Sequence, residues 1–279
     1  MLNICTIYLF LPQLFDKSVL FLNGLDEILK QHDPISLTEM NQVSFLDRKD
    51  IKFVFHIDRL IPLLKNTTGP YKVLTIKDKR LFRYKTLYFD TPDMKFYFDH
   101  HNGVRSRFKV RYREYIDTAQ TYLEIKEKNN RERTIKKRLL TGQMQETLSQ
   151  RDIDFIRKYI QIEPGNLNPV LLSLFTRFTL VSLNNKERIT FDINLEFEGY
   201  MRKTEFPFLA ICEVKQEKMF PAGYFLNLLK SHKIFPSNLS KYGIGTVVLN
   251  PLIKQNLFKD RLLTINKIKN DPGSYYSAS

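Results

Sequence analysis

The stretch Gly103–Tyr115, GVRSRFKVRYREY, decides how the rest of the chain is read. Arg105, Arg107, Lys109, Arg111 and Arg113 stand at alternate positions, with Val104, Phe108, Val110 and Tyr112 between them. Period two across β-branched and aromatic residues predicts a β-strand with these cations on one face. Same-face neighbours on a strand lie about 7 Å apart. At an effective dielectric of about 20, each adjacent pair then repels by roughly 2 kcal/mol before screening. Such a row must face bulk water, carboxylates or a polyanion.

The pattern repeats along the chain. TYLEIKEK sets Tyr122, Glu124, Lys126 and Lys128 on one face, and ERTIKKRLL does the same for Thr134, Lys136 and Arg138. RITFDINLEF alternates Arg188, Thr190, Asp192, Asn194 and Glu196 against Ile189, Phe191, Ile193, Leu195 and Phe197. IKFVFHI and LAICEVKQE add Lys52, Glu213 and Lys215. Strands with one charged and one apolar face turn the charged faces to water or to each other. If helices cover the apolar faces, the second arrangement predicts an α+β fold: an antiparallel β-barrel of about eight strands forming a basic tunnel, with helices packed outside.

A chain of 279 residues with 43% hydrophobic content can bury one substantial core, and no internal repeat divides it. One domain over residues 25–253 is expected, with an N-terminal extension (1–24) and a basic C-terminal tail (254–279). Net charge is +14, and residues 103–138 hold twelve Lys or Arg against five Asp or Glu. Half of the excess charge thus falls in one short segment, which implies an anionic partner at one site: nucleic acid, anionic lipid, nucleotides or polyphosphate. Cys5 and Cys212 are far apart, so neither a disulfide framework nor a zinc site is indicated, and a reducing compartment is expected. The apolar run Ile4–Leu14 contains Pro12 and is too short to span a bilayer, so it reads as an amphipathic or frayed extension.

Local signals place further elements. From Lys17 to Lys30, Val19, Leu20, Leu22, Leu25, Ile28 and Leu29 fit a helix, and Ser36 with Glu39 has the spacing of a capping box. Asp58 is a cap candidate for a helix after the first strand. Residues 71–77 and 81–90 read as a hairpin around Lys77-Asp78-Lys79, and Pro221 as the start of a helix. Gly243-Ile-Gly245 lacks the third glycine of a dinucleotide loop and reads as a helix-packing or turn motif; no P-loop is present. His32, His56, His100, His101 and His232 have no metal-ligand spacing and are expected at the surface or in local hydrogen bonds.

The spacings taken together carry more than any one of them. In order they are Arg48-Lys49-Asp50-Ile51-Lys52, Tyr88-Phe89-Asp90-Thr91, Arg111-x-Arg113-x-Tyr115, Glu124-Ile125-Lys126-x-Lys128, Lys136-x-Arg138, Arg188-x-Thr190-x-Asp192, Glu213-x-Lys215 and Ser240-Lys241-Tyr242. This series resembles the VTC domain, the catalytic module of vacuolar transporter chaperone polyphosphate polymerases, in its bacterial branch. That family lies within the triphosphate tunnel metalloenzymes, whose fold is an antiparallel barrel around a basic tunnel.

The resemblance implies roles. Lys52, Arg111, Arg113, Lys126, Glu213 and Lys241 would be catalytic. Arg48, Lys128, Lys136, Arg138, Arg177, Arg188 and Lys215 would bind substrate, and Glu213 would hold Mn²⁺ or Mg²⁺. Glu124 and Asp192 are better read as ion-pair partners of tunnel arginines than as metal ligands. Hydrolytic relatives typically begin with E-x-E-x-K, whereas positions 48, 50 and 52 are Arg, Asp and Lys, which resembles the R-x-x-x-K start of the polymerases. The implied activity is transfer of the ATP γ-phosphate to a growing polyphosphate chain with release of ADP. The implied partners are ATP and polyphosphate rather than nucleic acid, with a peripheral membrane or membrane-protein partner and a cytoplasmic location. A triphosphate or nucleotide phosphohydrolase of the same fold and a non-catalytic polyanion-binding module stay open at this point. Phe108 and Tyr112 sit opposite the arginines by parity and are expected to pack rather than to stack on bases.

Overall fold

The computed structural model describes residues 20–42, 48–130, 134–184, 186–217 and 223–270, with only the backbone described at Gln42 and Arg48. The Ile4–Leu14 run, residues 17–19, Pro221 and residues 271–279 lie outside the described residues.

A helix α1 (residues 20–30) leads into β1 (Pro34–Ile35) and α2 (Leu37–Gln42). The expected capping box opens α2: the Ser36 N–H donates to Glu39 Oε2 at 2.8 Å and the Glu39 N–H to Ser36 Oγ at 3.2 Å. Strand β2 (Arg48–His56) passes through one 3-10 turn into α3 (Leu60–Leu64). Asp58 lies inside that turn instead of capping the helix, because the strand ends at His56, whose ring accepts the Asp58 N–H at 3.3 Å.

Strands β3 (Lys72–Leu74) and β4 (Phe82–Asp90) flank the Lys77-Asp78 turn, both residues having positive φ, yet they do not form the expected hairpin. A single bridge, Ile76 to Lys79, closes the turn, and the two strands lie end to end along β8 (Asn168–Ser182), whose 15 residues are long enough to pair with both. The remaining elements are α4 (Lys95–His101), β5 (Arg107–Tyr115), β6 (Gln120–Lys128), β7 (Thr134–Thr141), α5 (Gln150–Arg157), β9 (Glu187–Gly199), β10 (Arg202–Phe206), β11 (Leu209–Glu217), α6 (Tyr224–Ser231), α7 (Lys241–Leu249) and α8 (Lys259–Asn270). Arg105 precedes β5 and does not extend its cation row.

The fold is mixed α+β, built on one large sheet in the order β2-β11-β9-β8-β4-β5-β6-β7, antiparallel along this path. The expected barrel is not closed: among the described residues β2 and β7 do not pair. The sheet nevertheless curls. On a flat sheet β2 and β5 would be about 24 Å apart at 4.7–4.9 Å per strand. The Ser237 N–H donates to the Lys52 carbonyl of β2 at 2.7 Å, and three residues later Ser240 Oγ receives the ammonium of Lys109 on β5 at 3.0 Å. Three residues reach about 11 Å at most, so the cation-bearing face is concave.

The convex face carries two cores. Phe53, Phe55, Phe178, Phe191, Ile193 and Val214 pack beneath Leu25 and Leu29 of α1, Leu60 and Leu64 of α3, and Phe225 and Leu229 of α6. Leu87, Phe89, Val110, Tyr112, Leu123 and Ile125 pack beneath Ile156 of α5. Tyr112 is buried there and donates to Asp152 at 2.7 Å, a packing role as its parity predicts. Each such buried side chain contributes about 1.5–3 kcal/mol.

A third core occupies the concave face itself, and it corrects the expectation that the helices lie outside. Asn194 has φ of 50° and is the extra residue of a β-bulge against Leu174 and Thr176, which breaks the alternation of β9. Leu195 and Phe197 consequently turn to the same side as Asp192, where they join Val54, Ile211, Leu171 and Tyr88 under α7. Helix α7 fits because it is thin: a Cβ on Gly245 would stand 2.7 Å from Leu171 Cδ2 and Phe197 Cδ1. Phe258, from the 3-10 turn Asn256–Phe258, and Ile265 and Ile268 of α8 complete this core. No helix of the described residues is long and apolar enough to cross a membrane.

Gly245→Ala is expected to lower the unfolding free energy by about 1–3 kcal/mol through overpacking. Gly142→Ala, whose added carbon meets no atom within 4 Å, is expected to change it by less than about 0.5 kcal/mol. Urea denaturation followed by circular dichroism checks both.

Candidate functional site

The curl brings the alternating cations of β5, β6 and β7 to face β2, β11, β9 and β8. Three carboxylates organise them. Glu124, fully buried on β6, receives Arg111 Nε at 3.0 Å and Nη2 at 2.7 Å, and pairs with Lys136 on β7. Asp192, 3% exposed on β9, takes Arg177 of β8 in a two-pronged bond, Nε to Oδ1 at 2.5 Å and Nη2 to Oδ2 at 2.8 Å, and also pairs with Lys241 at the start of α7. Glu213 on β11 pairs with Lys215 at 2.5 Å, and Lys215 reaches Asp50 of β2 at 3.3 Å. Glu124 and Asp192 are thus ion-pair partners, as the sequence reading prefers. Burial opposes ionisation of all three, but it is outweighed by Arg111, Arg113 and Lys136 at Glu124, by Arg177 and Lys241 at Asp192, and by Lys215 and Lys52 at Glu213. All three stay charged, and the Glu213 carboxyl is held at about 2.

These pairs do not exhaust the cations. Lys52, Lys109, Arg113 and Lys126 make no ion pair among the described residues. Arg113 is 8% exposed and its Nε has no hydrogen-bond partner. Aromatic rings partly compensate: Arg113 lies 5.8 Å from the Tyr84 centroid and 5.9 Å from Phe175, Arg177 lies 5.1 Å from Tyr84, and Lys241 lies 4.4 Å from Phe175. The lysines register the remaining excess. Burial, then Lys52 and Arg111, push Lys109 down to about 7. Burial lowers Lys136 and Lys241 to about 8, with Arg111 and Arg177 respectively adding to the fall. Arg111, ahead of burial, drives Lys126 well below the ordinary lysine range. An enclosed site that depresses its own lysines favours an anion.

Arg188, Arg138 and Lys128, also singled out in the sequence, lie on the same face. Arg188 on β9 is in register with Lys215, and Arg138 on β7 lies over the Tyr122 ring at 4.9 Å. Lys128 ends the β6 row opposite Arg107. The Arg48 backbone pairs with Glu217 at the edge of the sheet, and its side chain lies outside the described residues.

The sequence reading missed Phe175 and Tyr84, which no charge pattern signals, and did not single out Lys109, although it stands in the quoted row. It also misplaced His100, while the local hydrogen bond it expected is made by His101. His101 is buried, with Nδ1 2.8 Å from Asn102 Oδ1 and Nε2 accepting the Leu257 N–H at 3.3 Å. His100 buries both ring nitrogens without a partner, because α4 packs inward against α7 and Phe258. Gly243 is a packing glycine, since a Cβ there would stand 2.8 Å from Phe258.

No group of three His, Cys, Asp or Glu side chains gathers as a metal centre among the described residues. The arrangement offers fixed positive charge along a concave surface, with Glu213 in register opposite the unpaired Lys52.

No curated protein sequence matches the chain. Solved structures resembling it include a Hippeastrum protein described as a candidate adenylyl cyclase with a dominant triphosphatase activity, 16% identical over 76% of this chain and 99% of that one, TM-score 0.43. A candidate adenylate cyclase from Bacillus halodurans is 11% identical over 84% and 96%, TM-score 0.36. The Pct1 RNA triphosphatase of S. pombe is 11% identical over 94% and 95%, TM-score 0.29. Likenesses this distant carry no argument about activity. The family model described as the VTC domain matches residues 47–250, which spans every strand from β2 to β11 and helix α7, and the chain belongs to the VTC domain family.

Proposed function

We propose that the chain is a polyphosphate polymerase, transferring the γ-phosphate of ATP to the end of a polyphosphate chain. The observation that carries this reading is the set of enclosed cations without a carboxylate partner, Lys52, Lys109, Arg113 and Lys126, beside Arg111 and Arg177. Family membership over residues 47–250 supports it. In this reading the curled sheet acts as a tunnel for linked phosphates.

The terminal oxygen of the acceptor chain attacks the γ-phosphorus. The bond from that phosphorus to the β,γ-bridging oxygen breaks, and ADP leaves with the electron pair. Phosphoryl transfer of this kind needs positioning and neutralisation of the equatorial oxygens more than covalent help. Arg111 and Arg113 present planar forks suited to phosphate, while Lys52, Lys126 and Lys241 act as point charges. Arg48, Lys128, Lys136, Arg138, Arg177, Arg188 and Lys215 extend the row to the rest of the substrate.

Mg²⁺ and Mn²⁺ are commonly bound by one or two carboxylates with phosphate oxygens and water completing the shell. Glu213 fits that demand, with Lys215 as its competitor. The ion would neutralise charge on the phosphates and help orient them. Hydrolysis is less favoured because Glu124 and Asp192 are each held by two cations, and Asp50 shares Lys215 with Glu213. The reaction is assigned to the cytoplasm, in keeping with the free thiol of Cys212.

Incubation with ATP and Mn²⁺, followed by gel electrophoresis, is expected to show a ladder of chains and equimolar ADP; release of phosphate without chains assigns the protein to the triphosphatases. Glu213→Gln is expected to abolish metal-dependent turnover while polyphosphate binding is kept or tightened. A bound anion raises the depressed lysines, so tripolyphosphate binding takes up protons between the free and bound pKa values. Affinity should therefore fall as pH rises from about 7 through 8, the free-state values of Lys109, Lys136 and Lys241. Calorimetry in buffers of different ionisation enthalpy reads the proton uptake directly.

A further inference from the structure

The cation row does not end at Arg111. On the concave face of β5 it continues through Lys109 to Arg107, flanked in register by Lys126 and Lys128 of β6. From Arg113 to Arg107 is six residues, about 20 Å of strand. Three linked phosphates do not need that length.

The far end of the row meets elements outside the family match, which stops at residue 250. Phe258, just before α8, packs against the first turn of α7. The Phe258 ring has His100 on one approach, centroids 5.7 Å apart, and the Arg261 guanidinium on another, 4.9 Å from its centroid. His100 Cδ2 is 3.3 Å from where a Cβ on Gly243 would stand, and Lys109 donates to the Ser240 hydroxyl that caps the same turn. Lys109, His100 and Arg261 therefore surround one turn of helix, with Arg107 next along the strand.

The electrostatics agree with this geometry. The charges of Lys109, Arg107, Arg261 and Lys52 all act on His100, and after burial they keep its imidazole neutral. Arg107 likewise acts on Arg261, which Asp260 at the next position partly offsets. Arg107 otherwise donates to the Val104 carbonyl at 2.7 Å, which leaves its charge uncompensated by that bond.

We propose that Arg107, Lys109, Arg261 and His100 form a second anion subsite, past the first turn of α7, that holds the distal phosphates of a linear polyphosphate. This rests on the phosphate-chain reading of the main site and deepens it by naming the ligand as a chain longer than a triphosphate. The three cations supply charge, and His100, neutral and with both ring nitrogens buried and unpartnered beside them, adds no competing charge. The C-terminal helix thereby selects chain length.

The test compares binding of tripolyphosphate and of long linear polyphosphate to the full chain and to Arg261→Ala and Arg107→Gln, at several salt concentrations. Loss of one charge-assisted contact should reduce the preference for the long chain about tenfold. The slope of log affinity against log salt for the long chain should fall by about 1 per cation removed, by analogy with phosphate contacts in nucleic acids. A general loss of fold would weaken both ligands together and leave the ratio unchanged. If the wild-type chain binds tripolyphosphate and both variants keep its length preference and salt slope, the subsite is overturned and the main-site reading stands. If the wild-type chain binds no tripolyphosphate, the main-site reading fails and the subsite with it. Single-stranded RNA binding as tightly as long polyphosphate would also overturn the assignment.

Discussion

The structure depends on a like-charge problem that folding only partly solves. Bringing the cations of β5, β6 and β7 to face those of β8, β11 and α7 costs repulsion as well as desolvation. Two buried carboxylates and one half-buried one offset much of this: Glu124 between Arg111 and Lys136, Asp192 between Arg177 and Lys241, and Glu213 against Lys215. Each is placed so that one acid serves an arginine and a lysine, or a lysine that itself reaches a second acid. Removing one partner of such a buried pair commonly destabilises a protein by several kcal/mol, because the other charge is left uncompensated. The residual excess, seen in the low lysine pKa values, is what an anionic ligand would neutralise. Stability and the proposed ligand binding thus draw on the same side chains.

Helix α7 is the second constraint. It lies within the curl, and its N-terminal residues touch both sides: Lys241 reaches Asp192 on β9 while Ser240 accepts from Lys109 on β5. Tyr242 completes the arrangement by donating to the buried Asp90, which also accepts from the Thr91 amide at 2.7 Å and from the Phe96 and Tyr97 amides at the start of α4, both at 2.8 Å. A helix that had to stand outside the sheet would leave these groups unpaired. The bulge at Asn194 makes room for it by turning Leu195 and Phe197 inward. The same strand therefore presents polar groups to the site at one end and an apolar seat to the helix at the other.

Much of this was legible in the chain because period-two alternation is a local property. Arg107 to Arg113, Glu124 to Lys128 and Glu213-x-Lys215 could be assigned to one face of a strand from spacing alone, and Glu124 could be read as an ion-pair partner. The capping box at Ser36 and Glu39 is local in the same sense. What was not legible involved relations between distant segments. The hairpin around Lys77-Asp78 fails because β8 is long enough to take both strands end to end. The inward placement of α7 depends on a bulge whose only sequence trace is an asparagine. His100 and Arg261 meet across Phe258 from segments about 160 residues apart.

Sequence alone determined which faces are charged and which are apolar, since side chains on a strand must alternate and burial of the cationic face without anions would be prohibitive. It also set the local excess of positive charge from which an anionic partner is expected. Tertiary structure alone decided that the sheet curls without β2 pairing to β7, that a helix fills one end of the curl, and which cations are left without a carboxylate. Those outcomes rest on strand order, on a bulge and on the reach of side chains across the concave face. Such contacts form between residues far apart in the chain, where no periodicity connects them.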